Sequence, residues 1–393
     1  MKVLITGADG FLGQNLIAHL RHREDVAILG YDLRNTRADL HAWLDTADFV
    51  VHLAGVNRPQ NEDEFLTGNA SLTNEICECL ARRSDPPPIL LSSSIQADLD
   101  NPYGRSKRLA EEAVTRYAKE ARARAIIYRL KNVFGKWSRP NYNTVVATFC
   151  HSIAHDLPIT ISDPTRDVEL IHIDDVVQSF TADLDGPRDA GVVWRDVTPS
   201  YRVTLGRLAE LIRSCRTMRQ TLHMPDFADP FVRKLYGMYL TYLDEGDFAY
   251  ELLQRCDNRG CLAEFIKAHH FGQIFVSRTK PGITRGNHYH HTKAEKFLVL
   301  EGEAVIRFRS IRGQRSEVRG QRAEGRGQRS EGRDQGAEVI EYRVSGKDFR
   351  VIDIPPGYSH SIENVGEGDL VTLFWASEIF DPERPDTFGC AVL

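Results

Sequence analysis

The stretch TGADGFLG, at residues 6–13, constrains the fold most strongly because it follows a predicted strand, KVLIT, and opens a predicted helix. In that context Gly7 permits a tight turn, Gly10 lets the backbone approach a pyrophosphate, and Gly13 allows close packing of helix and strand. Phosphate charge would rest on the helix N-terminus. The pattern predicts a dinucleotide-binding unit, whose turn contributes the cofactor residues Gly7, Gly10, Phe11, Leu12 and Gly13.

Apolar runs of strand length then alternate with stretches of helix length, in the order KVLITG, VAILGYD, DFVVHLAG, PPILLSSS and RAIIYRL. This rhythm predicts an α/β domain with a parallel sheet and crossover helices. From about residue 270 the pattern changes to short alternating strands broken by Gly and Pro, which predicts an all-β barrel or jelly roll. We therefore predict one domain over residues 1–245 and a second over 246–393.

Composition narrows the class of partner. The 393 residues carry a net charge of −5, with 41% hydrophobic and 27% charged residues, which gives no general attraction to nucleic acid or to an anionic membrane. No run of 18 apolar residues and no leader pattern is present, so we expect a cytoplasmic protein with a small-molecule substrate. The seven cysteines form no CxxC pair, and we expect free thiols.

One segment fits neither domain. RGQRSEV, RGQRAEG, RGQRSEG and RDQGAEV repeat a seven-residue unit with hardly any apolar residues, too few for a coiled coil. Residues 312–338 hold seven Arg and five acidic residues, with Gly throughout. We predict a flexible, solvated insertion at 312–338, at a hairpin tip between two strands, and no nucleic-acid arm.

Three further stretches of the first domain carry groups suited to carbonyl reduction. HLAG ends a strand with the small segment Leu53, Ala54 and Gly55, where a nicotinamide ribose can pass closely. LLSSS ends another strand with Ser94, and YGRSK places Tyr103 and Lys107 one helical turn apart. We expect Lys107 to lower the pKa of Tyr103, Tyr103 to pass a proton to a carbonyl oxygen, and Ser94 to polarise that oxygen.

The choice between NAD and NADP stays open on these residues. Asp32 ends the second strand, where an acid favours NAD by holding the ribose 2′-hydroxyl. Arg34 and Arg37 follow it, and either can hold a 2′-phosphate.

The ordered motifs resemble those of the extended short-chain dehydrogenase/reductase family. Its TGxxGxxG, Ser and YxxxK motifs match the glycine turn, Ser94, Tyr103 and Lys107, and YRLKNVFG and LIHIDDVV look like its sugar-nucleotide-facing segments. The resemblance implies a Rossmann-like, doubly wound parallel sheet and a reductase in which these three residues are catalytic. The eight residues between Ser94 and Tyr103 form a shorter loop than many members have.

The second domain contains a spaced set of imidazole and carboxylate groups. His288 and His290 alternate along one strand and so share a face, Glu295 lies in the next part of the sheet, and His360 can close the site from a distant strand. Such ligands suit Zn, Fe, Mn or Ni. His291 points to the opposite face, and we predict that it is not a ligand.

The same spacing resembles both cupin motifs, GxxxxxHxHxxxxExxxxxxG and PxGxxHxxxN. Phe349 replaces the Gly that usually starts the second motif, and we expect no consequence. DNRGCLAEF, at residues 257–265, also resembles the opening segment of cupin-fold sugar-nucleotide 3,5-epimerases. The resemblance implies a cupin jelly-roll barrel, metal ligation by His288, His290, Glu295 and His360, and a substrate role for Arg259, His288 and His290.

Over nearly its whole length the chain resembles the bifunctional capsular polysaccharide synthesis enzymes that make the precursor of UDP-N-acetyl-L-fucosamine. HLAGVNRPQ, LLSSSIQADLDNPYG, FGKWSRPNYNTVVATFC, KPGITRGNHYHHTKAEKFLVL and DIPPGY carry this match. The resemblance implies that the cupin epimerises C3 of UDP-2-acetamido-2,6-dideoxy-L-arabino-4-hexulose and that the reductase then reduces the C4 ketone with NADPH to the L-talose product. It also implies a divalent metal, zinc above all, and a homodimer formed through the cupin domains.

Two other hypotheses remain at this point. The chain can be a monofunctional UDP-4-keto-sugar reductase or epimerase whose cupin only dimerises it and whose histidines merely fill the barrel. It can also be a nucleotide-sensing scaffold. Such modules commonly lose the Tyr or the Lys, whereas Tyr103 and Lys107 are both present, which argues against this hypothesis.

Overall fold

The computed structural model describes residues 1–59, 61, 63–311 and 338–393. These residues divide into two units, the first formed by Met1–Arg216 with Phe227–Phe248 and the second by Thr217–Asp226 with Ala249–Leu393. Except for its last residue, the predicted insertion at 312–338 lies outside the described residues. Within the described ranges, no helix is long and apolar enough to cross a membrane.

The first unit contains nine strands and nine α-helices among its described residues, except that the last five residues of the eighth helix, Thr217–Thr221, belong to the second unit. The strands are β1 Lys2–Thr6, β2 Ala27–Tyr31, β3 Phe49–His52, β4 Ile89–Ser94, β5 Arg124–Leu130, β6 Asn132–Phe134, β7 Asp167–His172, β8 Gly191–Arg195 and β9 Ser200–Thr204. The helices are α1 Phe11–Leu20, α2 Arg37–Leu44, α3 Asp63–Phe65, α4 Leu72–Ala81, α5 Pro102–Glu120, α6 Val145–Ala154, α7 Ile173–Leu184, α8 Leu205–Thr221 and α9 Pro230–Leu240, with a π-helical segment at Leu66–Ser71.

Six strands form a parallel sheet in the order β2-β1-β3-β4-β5-β8. The chain reverses direction across the sheet between β1 and β3, and ligands of such sheets bind at the carboxyl ends of the strands beside this reversal. The glycine turn directly follows β1. The HLAG segment consists of the last residue of β3, His52, and the three residues after it, so both segments lie beside the reversal.

The strands are apolar on both faces because helices cover both. Leu4 and Val50 belong to a core with α2, α4 and α5, whereas Ile5 and Val51 belong to a second core with α1 and α7. Residues that alternate along one strand point to opposite faces, which explains why these strands read as continuous apolar runs. The predicted Rossmann-like, doubly wound sheet is confirmed.

A smaller sheet, β6-β7-β9, completes the first unit together with α6, α8 and α9. Its core is built around Phe134, whose ring packs edge-on against those of His172 and Phe231. Its first strand, β6, directly follows β5 of the main sheet, and β8 of the main sheet lies between β7 and β9 in the chain.

The second unit is all-β apart from the short segment that joins it from the first part of the chain. Its strands are β10 Gln254–Asp257, β11 Gly260–Ala268, β12 Gly272–Thr279, β13 Thr284–Tyr289, β14 Glu295–Glu301, β15 Glu303–Ser310, β16 Ile340–Ser345, β17 Val351–Ile354, β18 Tyr358–Asn364, β19 Leu370–Ala376 and β20 Phe388–Gly389. Two antiparallel sheets result, in the orders β10-β11-β12-β19-β14-β17 and β16-β15-β18-β13-β20. An apolar core that includes Phe297, Ile306 and Phe374 fills the space between them. The predicted all-β, cupin-like second part is confirmed.

Two features of the second unit were not foreseen. Thr217–Asp226 precedes the predicted boundary at 246 yet belongs to this unit, because Leu222 and Met224 exchange backbone hydrogen bonds with Lys267 of β11. The expectation of free thiols is wrong for one pair: Cys256 and Cys261 face each other across the β10–β11 hairpin and form a disulfide. The pairing register, invisible in cysteine spacing, brings these two thiols together.

Candidate functional site

The glycine turn is a close-packed cradle at the end of β1. Gly7 has φ +71°, and a Cβ on it would lie 2.7 Å from the backbone nitrogen of Ala54. A Cβ on Gly13 would lie 2.2 Å from the carbonyl oxygen of Gly7. Gly10 is the N-cap of α1, so the first amides of that helix can receive a phosphate. Phe11 and Leu12 are half-buried and anchor the start of the helix on the core.

The end of β2 brings the three candidate ribose residues into different surroundings. The carboxylate of Asp32 accepts the backbone amides of Asp9 and Leu33, each at 2.8 Å, which ties it to the glycine turn. Arg34 is mostly exposed and pairs with Asp9 at 3.0 Å. Arg37 instead turns to Glu75 of α4, at 2.7 Å. Asp32 and Arg34 therefore lie together at the turn, while Arg37 is held aside.

The segment after β3 is shaped by buried polar groups. A Cβ on Gly55 would lie 2.8 Å from Oδ1 of Asn69 and 3.3 Å from Nζ of Lys107, so glycine leaves these groups their space. Asn69 accepts the amide of Val56 and donates to its carbonyl and to Ser106 Oγ. Leu53 and Ala54 are half-buried beside the turn. The sequence reasoning missed Asn69, which lies in a π-helical segment that no simple periodicity reveals.

The predicted catalytic trio is brought together at the carboxyl end of β4 and the start of α5. Asn101 caps α5 through the amide of Gly104, which fixes the first turn that carries Tyr103. The Ser94 side chain lies close enough to Tyr103 to influence the pKa of its hydroxyl, and Ser94 Oγ accepts the Gln96 amide at 3.2 Å. Lys107 Nζ donates to the Ser92 carbonyl at 3.0 Å and lies 5.9 Å from the centre of the Tyr103 ring.

The electrostatics of this trio differ from the expectation. Burial raises the pKa of Tyr103 to about 12, against the opposing effect of the Ser94 hydrogen bond, so the predicted lowering by Lys107 is wrong. Burial lowers the pKa of Lys107 to about 8, although the charge of Glu111 works the other way. The lysine is itself desolvated and directs its ammonium to a carbonyl, which leaves Tyr103 a firmly protonated phenol that can act as a proton donor.

A buried carboxylate, Glu111, lies near Lys107, and its charge favours the ammonium form of the lysine. Glu111 lies one helical turn after Lys107, accepts Ser93 Oγ at 2.5 Å, and binds Arg129 through both oxygens at 2.9 and 2.8 Å. Arg129 also reaches Asp98 at 2.6 Å. The sequence analysis missed Glu111, although its spacing from Lys107 signals a shared helix face.

The four candidate metal ligands of the second unit converge. His288 lies on β13, His290 just after it, Glu295 at the start of β14 and His360 on β18, and one ligand atom from each lies within 4.8 Å of the others. Glu295 Oε2 is 3.4 Å from Nε2 of both His290 and His360. Those two nitrogens are buried and make no hydrogen bond to any described residue.

The protonation of this cluster suits a cation. Burial, reinforced by His360 and His290, lowers the pKa of His288 to about 4, so its imidazole is neutral at pH 7. Burial opposes ionisation of Glu295, but the contacts from His290 and His360 outweigh it and lower the carboxyl pKa. Neutral imidazole and carboxylate are the forms that bind metals, and two buried nitrogens stand ready as donors. Three histidines and one carboxylate fit zinc.

The neighbours of this cluster include residues that the sequence did not single out. His291 packs its ring on Phe388 at 4.6 Å, and it is not among the converging ligand atoms. The carbonyl of Asp386 lies 2.6 Å from Nδ1 of His290. Asp386 lies about 90 residues downstream of the motif, and no local pattern marks it.

Arg259 lies in the turn of the β10–β11 hairpin, beside the disulfide, and pairs with Asp257 at 2.6 Å. Arg285 on β13 donates through Nε to Thr279 Oγ1 at 2.9 Å, and its NH2 nitrogen is buried without a hydrogen-bond partner among the described residues. Burial and then the charge of Arg259 lower the pKa of Arg285. Arg285, three residues from His288, thus has an unpartnered guanidinium nitrogen among the described residues, and Arg259, although paired with Asp257, lies near enough to lower the pKa of Arg285.

Family models match both parts of the chain. The NAD dependent epimerase/dehydratase family matches residues 3–192, and the polysaccharide biosynthesis C-terminal domain matches residues 255–327 and 323–388.

Whole-length similarity is also found. The chain is 40% identical over 392 residues to the UDP-2-acetamido-2,6-beta-L-arabino-hexul-4-ose reductase of Pseudomonas aeruginosa, covering 100% of this chain and 99% of that protein. The crystal structure of the capsular polysaccharide assembling protein CapF from Staphylococcus aureus superposes with a TM-score of 0.87 at 42% identity, covering 100% of both chains. UDP-glucuronic acid 4-epimerase from Bacillus cereus shares the fold over 55% of this chain and 83% of its own, with a TM-score of 0.50 at 19% identity.

Proposed function

The chain belongs to the family of UDP-2-acetamido-2,6-beta-L-arabino-hexul-4-ose reductase and CapF, and from this premise we propose that it is a bifunctional UDP-sugar enzyme of capsule or O-antigen precursor synthesis. The second unit would epimerise C3 of UDP-2-acetamido-2,6-dideoxy-L-arabino-4-hexulose. The first unit would then reduce the C4 ketone with NADPH to UDP-2-acetamido-2,6-dideoxy-L-talose. The observation that carries the proposal is the presence, in one chain, of a Ser94–Tyr103–Lys107 trio and a buried cluster of three histidines and a glutamate.

The order of the two steps follows from the chemistry of the ketone. A proton on C3 is acidic only while the neighbouring C4 carbonyl can accept the electron pair as an enolate, and reduction removes that carbonyl. Epimerisation therefore precedes reduction. One carbonyl group serves both units in turn.

In the second unit, His288, His290, Glu295 and His360 would hold a divalent metal, which we propose is zinc. When bound, zinc supplies Lewis-acid stabilisation of negative charge on oxygen. Arg259 and Arg285 present two guanidinium groups for the diphosphate of the nucleotide, a role for which arginine geometry is well suited. His288 and His290 would face the sugar. As metal ligands they would orient the site, and only without such ligation would the neutral imidazole of His288 exchange a proton with carbon.

In the first unit, NADPH would, when bound, supply the hydride for C4. The Tyr103 hydroxyl would donate its proton to the C4 oxygen, so that the C=O bond becomes a C–OH group. Ser94 would hydrogen-bond the same oxygen, since it ends β4 close enough to Tyr103 to influence the pKa of its hydroxyl. Lys107, fixed on the Ser92 carbonyl, would hold the nicotinamide ribose and stabilise the phenolate that remains. The raised pKa of Tyr103 suits a donor that must be protonated at the start of the step.

NADPH is the cofactor that we propose, with the 2′-phosphate at Arg34, whose side chain is exposed at the glycine turn, or at Arg37. Asp32 works against this choice, although its carboxylate is already occupied by two backbone amides. Steady-state kinetics with both cofactors test the assignment. An equal kcat/KM for NADH and NADPH contradicts it. The variant Arg34→Ala is expected to weaken the binding of NADPH more than the binding of NADH.

Hydrogen exchange separates the two activities. In deuterated water without reduced cofactor, the wild type should exchange the C3 hydrogen of the ketosugar, as seen by NMR and mass spectrometry. Tyr103→Phe should retain this exchange and lose reduction, whereas His360→Ala should lose exchange and retain reduction of ketosugar that is already epimerised.

Absence of exchange in the wild type contradicts the epimerase proposal and leaves a monofunctional reductase with a structural cupin. We further propose a homodimer formed through the second units, which light scattering of the full chain and of variants in the exposed β16 and β17 edges would test.

A further inference from the structure

We propose that Asp386 is a positioning residue for the histidine cluster, acting on His290 through its backbone carbonyl and on the ligand-bearing loop through its carboxylate. It lies in the C-terminal segment after β19, at φ +35°, a backbone conformation that favours glycine over aspartate. The inference rests on the proposed metal site, and it concerns how the chain holds that site.

The carbonyl contact fixes which nitrogen of His290 carries the proton. Nδ1 of His290 lies 2.6 Å from the Asp386 carbonyl oxygen, which can only accept a hydrogen bond. Nδ1 must therefore be an N–H, and in the neutral form of the ring Nε2 then carries the lone pair. That Nε2 is the buried nitrogen that faces Glu295 at 3.4 Å. A hydrogen bond of this kind orients the ring and raises its basicity as a ligand.

The carboxylate of the same residue holds the loop between two ligands. Oδ1 accepts the amide of His291 at 2.9 Å, while Oδ2 accepts the amides of Thr292 and Lys293 at 3.0 and 2.9 Å. Oδ2 also accepts Thr292 Oγ1 at 3.1 Å. These bonds hold the backbone of His291, Thr292 and Lys293. Of the four residues between the ligands His290 and Glu295, only Ala294 has no bond to this carboxylate.

Neighbouring contacts keep Asp386 in place. Nζ of the buried Lys293 reaches the Pro385 carbonyl at 3.4 Å and Thr387 Oγ1 at 3.1 Å, one on each side of Asp386. The backbone hydrogen bonds outweigh the effect of burial and hold the carboxyl pKa well below its usual range. Only an ionised carboxylate accepts four donors at once, which explains an aspartate where the backbone favours glycine.

The variant Asp386→Asn tests the inference, since its amide nitrogen would face backbone donors. Asp381→Asn is the matched control, because Asp381 lies in the same segment and, among the described residues, its side chain accepts the Glu383 amide and contacts Arg384 but reaches no ligand-bearing loop. Both variants keep Trp375, which lies in the second unit, as a fluorescent report that this unit is folded.

Cobalt(II) alone is the metal probe. We expect Asp386→Asn to lower cobalt(II) affinity about 10-fold to 100-fold and to alter its visible absorption, with Asp381→Asn unchanged. In metal-free, 15N-histidine-labelled protein, we expect a pure Nδ1–H form of His290 in the wild type and a mixture of ring forms in Asp386→Asn.

A folded Asp386→Asn protein with wild-type affinity, spectrum and ring form overturns the inference. Lost epimerisation with unchanged affinity, spectrum and ring form also overturns it, because the residue then serves folding or substrate only. Should wild-type protein bind no cobalt(II), the proposed metal site fails, and the ring form of His290 alone decides the role of Asp386.

Discussion

Replacing Lys107 by Met is expected to abolish reduction while making the first unit more stable. The ammonium is almost fully buried, with 6% of its residue surface exposed, and its pKa falls from 10.5 to about 8. At about 1.4 kcal/mol per pKa unit, this shift corresponds to a penalty of about 3 kcal/mol for folding the charged form. Methionine has a similar length and carries no charge to desolvate.

The hydrogen bond to the Ser92 carbonyl offsets part of the gain. Its loss costs about 1 kcal/mol, so the expected net stabilisation by Lys107→Met at pH 7 is about 2 kcal/mol. The sign of the pH dependence follows from the lowered pKa. Between about pH 8 and 10.5 the unfolded chain binds more protons than the folded chain, so the stability of the wild type rises with pH in this window. The advantage of the variant should shrink there.

Urea unfolding measures the effect in a Trp375→Phe background, in which every remaining tryptophan lies in the first unit. The free energy of unfolding is compared, with and without the Lys107→Met substitution, at pH 7 and at pH 10. A variant that is no more stable at pH 7, or an advantage that is equal at both pH values, would refute the desolvation argument.

Three further results are expected. The kcat/KM for reduction should fall about tenfold per unit above about pH 8 as Lys107 loses its proton, and a profile that stays flat to pH 10 contradicts this role. Gly13→Ala should abolish NADPH binding by calorimetry, because its Cβ would lie 2.2 Å from the Gly7 carbonyl, whereas Gly10→Ala, with 3.1 Å to the same oxygen, should be milder; equal losses would be inconsistent with the packing. Phe349→Gly should raise the free energy of unfolding of the second unit by about 1 kcal/mol, since Phe349 is exposed at φ +44°, and a lower urea midpoint would show that its ring matters.

Local signals predicted much of the architecture. Strands buried on both faces read as short apolar runs, and the glycine spacing reports contacts that no side chain can occupy, as Gly7 and Gly13 show. The one-turn spacing of Tyr103 and Lys107 and the alternation of His288 and His290 follow from helix and strand geometry. These features need only neighbouring residues to be seen.

What the sequence did not reveal depends on long-range packing. Asp386 reaches His290 from 96 residues away, and the Cys256–Cys261 pair depends on hairpin register. The pKa of Tyr103 was predicted in the wrong direction because burial, which spacing does not report, raises it and outweighs the opposing effect of Ser94. The φ of Phe349 likewise shows why the cupin motif prefers glycine at that position.

The path of the backbone between the two units has a practical consequence. It passes from one to the other after Arg216, returns after Asp226 and passes again after Phe248. A gene divided once near codon 246 would separate Lys267 from Leu222 and Met224, its backbone hydrogen-bond partners. The backbone of Lys267 would then be free to pair with other molecules. Splitting the enzyme into two separately expressed halves therefore requires the ten-residue excursion to be supplied to the second half, for example by circular permutation.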